Sequence, residues 1–72
     1  MSEQKLFTRL SVNLNDEAAR ALKENSDRRG ISITEAVRRA IAVYDFIERE
    51  TAAGNRIQVV DPEGRVRELL LV

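Results

Sequence analysis

The chain has 72 residues, with 12 basic and 12 acidic side chains and with neither cysteine nor histidine. This composition excludes disulfides, thiolate chemistry and the commonest zinc ligands, argues against a general polyanion binder, and favours oligomerisation as the source of extra stability. The start shows no secretory leader pattern and no apolar run approaches the ~20 residues of a membrane span, so we expect an intracellular, soluble protein without a membrane partner.

Residues 5–14, "KLFTRLSVNL", alternate apolar and polar side chains as a strand does. The apolar face holds Leu10, Val12 and Leu14, and the polar face holds Arg9, Ser11 and Asn13. A lone strand leaves its backbone donors and acceptors unpaired, and nothing nearby in the sequence is typical of a partner strand. We therefore predict that two copies of the chain pair residues 6–14 antiparallel, with the apolar face over the helices of both copies.

The polar face of such a ribbon has two interpretations. A two-stranded ribbon fits the major groove of DNA, where arginine pairs with guanine and asparagine with adenine. Surface strands also commonly alternate polar and apolar residues without contacting any ligand. The residues alone leave both interpretations open.

A short first helix is predicted between Asn15 and Gly30. The Asn15 side chain suits an N-cap, and Gly30 can adopt the left-handed conformation that ends a helix. Acid-before-base pairs are predicted at Asp16–Arg20 and Glu24–Arg28. The apolar face of this helix is thin, so the helix depends on its neighbours.

A second, longer helix is predicted to begin after Ser32 and to end near Gly54. The spacing Ser32-x-x-Glu35 is typical of a capping box. Ion pairs are predicted at Glu35–Arg39 and Asp45–Arg49. A broad apolar stripe follows helical spacing along Ile33, Ala36, Val37, Ala40, Ile41, Tyr44 and Ile47. The stripe is wider than the first helix can cover, which again indicates a second copy.

The end of the chain, residues 54–72, is predicted to form a hairpin around Asp61–Gly64. Proline and glycine occupy the second and fourth positions there, as in a type I turn, with residues 56–60 and 65–72 as the strands. The last four residues are all apolar, and an exposed strand of this kind invites pairing with another chain. It could close onto its own dimer, join dimers along DNA, or receive a protein partner such as a toxin.

No catalytic motif is recognisable in the sequence. Histidine, cysteine and a glycine-rich phosphate loop are missing, and helix caps and surface pairs account for most of the carboxylates. We expect no enzymatic activity, no cofactor and no metal site.

The order of strand, capped helix, glycine turn and capped helix resembles the ribbon-helix-helix family of bacterial repressors, of the CopG, Arc and MetJ type. The resemblance runs from Leu6 to Ile47 and rests on "RLSVNLNDEAARAL", on "RRGISITEAVRRAI" and on Tyr44. It implies a mainly α fold with a short β-ribbon, an intertwined homodimer over residues 1–53, and double-stranded DNA as the partner. The hairpin at 54–72 is an addition to the minimal family pattern.

The resemblance also assigns roles to individual positions. It implies base contacts by Arg9, Ser11 and Asn13, and phosphate contacts by Gly30, Ile31, Ser32, Ile33 and Thr34 at the turn before the second helix. Candidates for additional DNA contacts are Lys5, Phe7, Arg28 and Arg29, but packing on a neighbouring subunit is the favoured role for Phe7. The expected dimer core is Leu10, Val12, Leu14, Leu22, Val37, Ile41 and Tyr44. Ile33 departs from the family, which often has lysine or arginine after this serine.

The expected function is therefore sequence-specific repression of transcription, often of the protein's own operon. Two rivals remain open at this stage. In the first, the chain is an antitoxin whose hairpin neutralises a toxin, with DNA binding secondary. In the second, it is an assembly module whose ribbon never meets DNA.

Overall fold

The computed structural model describes residues 8–70, which form two helices followed by a hairpin. In chain order these elements are α1 (Asp16–Arg29), α2 (Ile33–Ala52), β1 (Ile57–Val60) and β2 (Val66–Leu69). The predicted fold, mainly helical with a C-terminal hairpin, is confirmed. The contacts predicted for Lys5 and Phe7, and the end of the apolar run at positions 71–72, lie outside the described residues.

The segment before α1 has no strand partner in a single copy. Residues 8–14 are exposed and show no regular secondary structure, and the sheet found between positions 8 and 70 contains β1 and β2 alone. A strand needs a hydrogen-bonded neighbour, and β1 and β2 already pair with each other. The pairing of residues 6–14 between two copies therefore stays a prediction.

Both ends of α1 are capped as its sequence predicts. The Asn15 side chain accepts a hydrogen bond from the backbone N–H of Ala18 at 2.8 Å. Gly30, at φ +67°, donates its N–H to the carbonyl of Asp27 at 3.2 Å, and Ile31 donates to that of Ser26 at 3.0 Å. These two bonds form the Schellman motif, which satisfies carbonyls that the end of a helix otherwise leaves unpaired.

The start of α2 is capped by half of the predicted capping box. The hydroxyl of Ser32 accepts from the backbone N–H of Glu35 at 3.0 Å. The Glu35 carboxylate turns instead to the guanidinium groups of Arg38 and Arg39, because charged partners one turn ahead outcompete a neutral backbone donor. The helix ends at Ala52, and Gly54 follows it at φ +91° as predicted.

The hairpin closes through the predicted turn. The N–H of Gly64 donates to the Asp61 carbonyl at 2.9 Å, and the N–H of Asp61 donates to the Arg65 carbonyl at 2.9 Å. The Asp61 carboxylate also accepts from the backbone N–H groups of Glu63 and Arg65, at 3.0 and 2.8 Å. Gly64, at φ +86°, forms the bulge that the turn type requires. β1 and β2 pair antiparallel, with Ile57 opposite Leu69.

A single copy has almost no hydrophobic core. Among the described residues only Ala36 and Ser26 are buried, although α1 packs on α2 and β1 contacts α2. The chain exposes 7004 Å², which is about 2500 Å² more than a compact monomer of its mass exposes. Its radius of gyration is 15.9 Å, against about 11 Å for a compact domain of this length. A single copy is therefore much less compact than a self-sufficient domain of this length.

Candidate nucleic-acid interface

An open apolar groove lies between the N-terminal segment and the two helices. It has a volume of about 320 Å³ and is lined by Leu14, Leu22, Val37, Ala40, Ile41 and Tyr44. Five predicted core residues are thus brought together around one groove, and Ala40, a member of the predicted stripe, joins them. Leu10 and Val12 are not part of its lining and are 77% and 69% exposed. These two side chains project from the segment that the prediction pairs with a second copy.

A second, wider groove runs between α1 and α2 and exposes an apolar residue that the sequence analysis missed. Its volume is about 930 Å³, and Val43 lines it together with Ala36, Ala40 and Ile47. Val43 lies three residues after Ala40, so helical spacing could have identified it as part of the stripe. The apolar surface of α2 is therefore wider than predicted.

The three predicted base-contacting residues are exposed side chains of the segment before α1. Arg9, Ser11 and Asn13 alternate with exposed apolar residues, as the strand parity predicts. In the portion of the chain from 8 to 70, Arg9 is not among the residues that form ion pairs. Its guanidinium group therefore makes no internal ion pair there that a guanine contact would have to break.

The predicted phosphate anchor has fewer backbone N–H groups available for a phosphate than the resemblance implies. The backbone N–H groups of Gly30 and Ile31 already donate to carbonyls of α1, and that of Glu35 donates to the Ser32 hydroxyl. The first N–H groups of an α-helix have no intrahelical acceptor, which leaves those of Ile33 and Thr34 available to a ligand. These two residues are exposed, and the start of a helix favours an anion.

The Glu35 carboxylate, in the first turn of α2, pairs with two arginines that follow it along the helix. It pairs with Arg38 and, at 3.0 Å, with the Nε of Arg39. The hydrogen bond from Arg39, assisted by the bond and charge of Arg38, lowers the pKa of Glu35 below its ordinary value. The ionised carboxylate offsets one of these two positive charges, and Arg28 and Arg29 add further positive charge in the last turn of α1, directly before the anchor.

Comparison with protein families gives a match to the first part of the chain. Residues 8–44 match the family described as "Ribbon-helix-helix protein, copG family", which covers just over half of the chain. The chain belongs to the ribbon-helix-helix family. No curated protein and no solved structure matched the chain.

Membership of the ribbon-helix-helix family sets the general class of function. Proteins of this family commonly bind DNA as dimers, regulate transcription and are typically not enzymes. The matched region includes the polar face of residues 9–13 and the helix start at 30–34. The hairpin lies outside the match, so the family says nothing about its role.

Two other kinds of feature are absent from residues 8–70. No helix there is long and apolar enough to cross a membrane. No cluster of acidic side chains there is arranged to hold a metal ion.

Proposed function

We propose that this protein is a sequence-specific transcriptional repressor that acts in the cytoplasm as a homodimer and reads the major groove of operator DNA. One observation supports this above the others. Directly before α1, inside the family match, the exposed apolar residues Leu10 and Val12 alternate with exposed Arg9, Ser11 and Asn13. This alternation suits a ribbon with one face for a dimer core and one for DNA.

In this proposal, two copies pair residues 6–14 about a two-fold axis, and a symmetric operator is read by both. Arginine reaches O6 and N7 of guanine as a bidentate donor, and asparagine reaches N6 and N7 of adenine. The polar face would present Arg9, Ser11 and Asn13 once from each copy. Residues 1–53 would then form the DNA-binding and dimerisation domain, and residues 54–72 a separate extension.

The backbone at the start of α2 supplies the contacts to DNA phosphates. The N–H groups of Ile33 and Thr34 hold one phosphate on each side of the ribbon, assisted by the positive end of the helix dipole. The Ser32 hydroxyl keeps its capping role toward Glu35. Such contacts fix the register of the protein on the duplex without reading its sequence.

Repression follows from occupancy of a promoter, and we propose that the protein controls its own operon. The chain carries out no reaction in this scheme and requires no cofactor. Because base contacts and phosphate contacts come from different segments, they can be tested separately.

The test is footprinting on the DNA upstream of the protein's own reading frame, with the wild type and with Arg9→Ala, Ser11→Ala and Asn13→Ala. Arg9→Ala should weaken cognate binding by ~1–3 kcal/mol and relax base preference at one position. Arg49→Ala is the matched control, because Arg49 is an 80% exposed arginine in the last turn of α2, paired with Asp45.

Two results would contradict the proposal. One is unchanged affinity and base preference in all three ribbon variants, which would mean that the polar face does not read DNA. The other is a failure of the wild type to bind any DNA at low salt, which would leave the protein as an assembly module.

A further inference from the structure

The C-terminal hairpin exposes apolar side chains on both of its faces. Residues directly opposite each other in the β1–β2 pairing share a face, so Ile57 and Leu69 lie on one side and Val60 and Val66 on the other. Leu70 continues the second face and is 74% exposed. A solvated two-stranded hairpin needs one apolar face at most, and alone it is marginally stable.

The charges of the hairpin are largely satisfied within it, which makes it a poor DNA-binding surface. Arg65 pairs with Asp61 at 2.8 Å and with Glu63 at 3.3 Å, and Arg56 lies 3.8 Å from Glu68. A phosphate contact would require breaking these pairs beside two carboxylates at the turn. Apart from Gln58 and Arg67, which take part in none of these pairs, the rest of the hairpin's exposed surface from Arg56 to Leu70 is largely apolar and suits a protein partner.

Within residues 8–70, no strand lies beside the edge of β2 that faces away from β1, and the backbone groups of this edge point outward at defined positions. The N–H of Asp61 donates to the carbonyl of Arg65, and hydrogen-bonded pairs alternate with non-bonded pairs along an antiparallel ladder. Ile57 and Leu69 are therefore a bonded pair, whereas Val66 and Glu68 direct their N–H and C=O groups away from β1. Leu70 lies two residues after Glu68, so its backbone N–H and C=O groups also point away from β1.

Among the registers whose two-fold axis passes through a residue of β2 (Val66–Leu69), one avoids placing like charges opposite each other. A two-fold axis that is perpendicular to the sheet and passes through one residue places residues opposite each other that are an even number of positions apart in the sequence. If the axis passes through Glu68, two carboxylates face each other, and if it passes through Arg67, two guanidinium groups do. If it passes through Val66, Arg65 faces Arg67 of the second copy. Like charges directly opposite each other are destabilising. If the axis passes through Leu69, that residue faces Leu69 of the second copy and Glu68 faces Leu70 of the second copy, so no like charges meet.

We infer that β2 pairs antiparallel with β2 of a second copy of this chain, centred on Leu69, so that two hairpins form one four-stranded sheet. Glu68 and Leu70 exchange main-chain hydrogen bonds across the axis in both directions. One face of the sheet then carries a continuous apolar row in which Ile57 and Leu69 are followed by Leu69 and Ile57 of the second copy. This contact needs neither DNA nor the ribbon, so it is independent of the function proposed above.

Disulfide trapping tests the register in the full chain, because the protein has no cysteine of its own. In the inferred sheet the two copies of Leu69 form a non-bonded pair with Cα atoms ≈ 4.5 Å apart, within the range that a disulfide spans. Leu69→Cys should therefore form a covalent dimer under mild oxidation. Val59→Cys is the matched control, because Val59 lies on the same face, 47% exposed against 39% for Leu69, but on the opposite strand.

The expected result is that Leu69→Cys cross-links faster than Val59→Cys by roughly tenfold or more, since pairing raises the local thiol concentration toward the millimolar range. Equal rates in the two variants would overturn the inference, because collision alone would then account for both. Exclusive capture of an unrelated protein by the hairpin, without self-cross-linking, would overturn it as well.

Glu68→Pro in the Leu69→Cys background separates edge pairing from hairpin folding. The N–H of Glu68 points outward, so proline removes the bond to the second copy and leaves the β1–β2 ladder intact. Cross-linking should fall to the rate of Val59→Cys. Glu68→Ala, which loses the carboxylate and keeps the N–H, should cross-link like the parent. Fast cross-linking by the proline variant would contradict the pairing.

Discussion

Val12→Asp distinguishes a dimer that folds as a unit from a single copy that folds alone. In a single copy Val12 is 69% exposed, so a carboxylate there would be harmless. In the proposed dimer the same side chain faces the core between the ribbon and the helices. The substitution then loses the burial of a valine, ~1.5–3 kcal/mol, and places an unpaired charge in an apolar site at a cost of several kcal/mol.

Symmetry doubles this effect, because each dimer contains the residue twice. The total is on the order of 10 kcal/mol, comparable to the whole stability of a small folded protein. We therefore expect Val12→Asp to be unfolded, as measured by circular dichroism during urea titration. For the wild type the midpoint should rise with protomer concentration, as it does for an obligate dimer.

Asn13→Asp is the control, because it introduces a carboxylate one residue later on the opposite face. It should change stability by no more than ~0.5 kcal/mol, as substitutions at exposed sites usually do, while it weakens DNA binding. If Val12→Asp instead melts at the wild-type urea concentration, the apolar face of the ribbon is not in a core and the dimer proposal fails. A wild-type urea midpoint that does not change with protomer concentration would also contradict the dimer proposal.

Four further substitutions or truncations probe single features. Ser32→Ala should cost ~0.5–2 kcal/mol of stability through the lost cap and weaken binding to all DNA sequences alike, and an effect confined to the cognate site would contradict the phosphate role. Gly30→Ala should cost ~1–2 kcal/mol in thermal unfolding, because a Cβ there meets no neighbour but the backbone lies at φ +67°. Glu35→Gln should release Arg38 and Arg39 and steepen the salt dependence of DNA binding; an unchanged slope would mean that these arginines do not reach DNA. Truncation before Gly54 should leave a folded dimer that binds one operator, and an unfolded product would place the hairpin in the dimer core.

Local signals in the sequence were sufficient to predict most of the secondary structure. The caps at Asn15 and Ser32, the stop at Gly30 and the turn at Asp61–Gly64 each involve groups within a few residues of one another. Such interactions are governed by the chemistry of one or two side chains. They are therefore visible in the sequence before anything is known of the packing.

Predictions failed where several local partners of similar energy compete. Of the i, i+4 pairs predicted in α1, neither Asp16–Arg20 nor Glu24–Arg28 appears among the ion pairs of the described residues. The helix forms Lys23–Asp27 at 3.4 Å instead, and Arg28 donates to Asn25. Exposed pairs of this kind contribute a few tenths of a kcal/mol, too little for the sequence to choose between them. The predicted pairs of α2, Glu35–Arg39 and Asp45–Arg49, are confirmed.

The candidate site stays a prediction, and the structure adds a backbone detail that the sequence did not reveal. The Schellman motif uses the N–H groups of Gly30 and Ile31, a consequence of how α1 ends that the family pattern does not reveal. The ribbon is the opposite case. Strand parity predicts that Arg9 lies on the polar face, but the predicted strand needs a second copy as its partner, so a single copy does not test it.

The length of α2 sets the two ends of the protein apart. Its 20 residues extend about 30 Å from the phosphate anchor to the start of the hairpin, whereas electrostatic influence in physiological salt fades over about 8 Å. If the protein binds an operator as proposed, a charge added or removed at the hairpin should therefore not be felt there. Evolution, or an engineer attaching a fluorophore or a new domain, can remodel the C-terminal end while the DNA sequence preference stays unchanged.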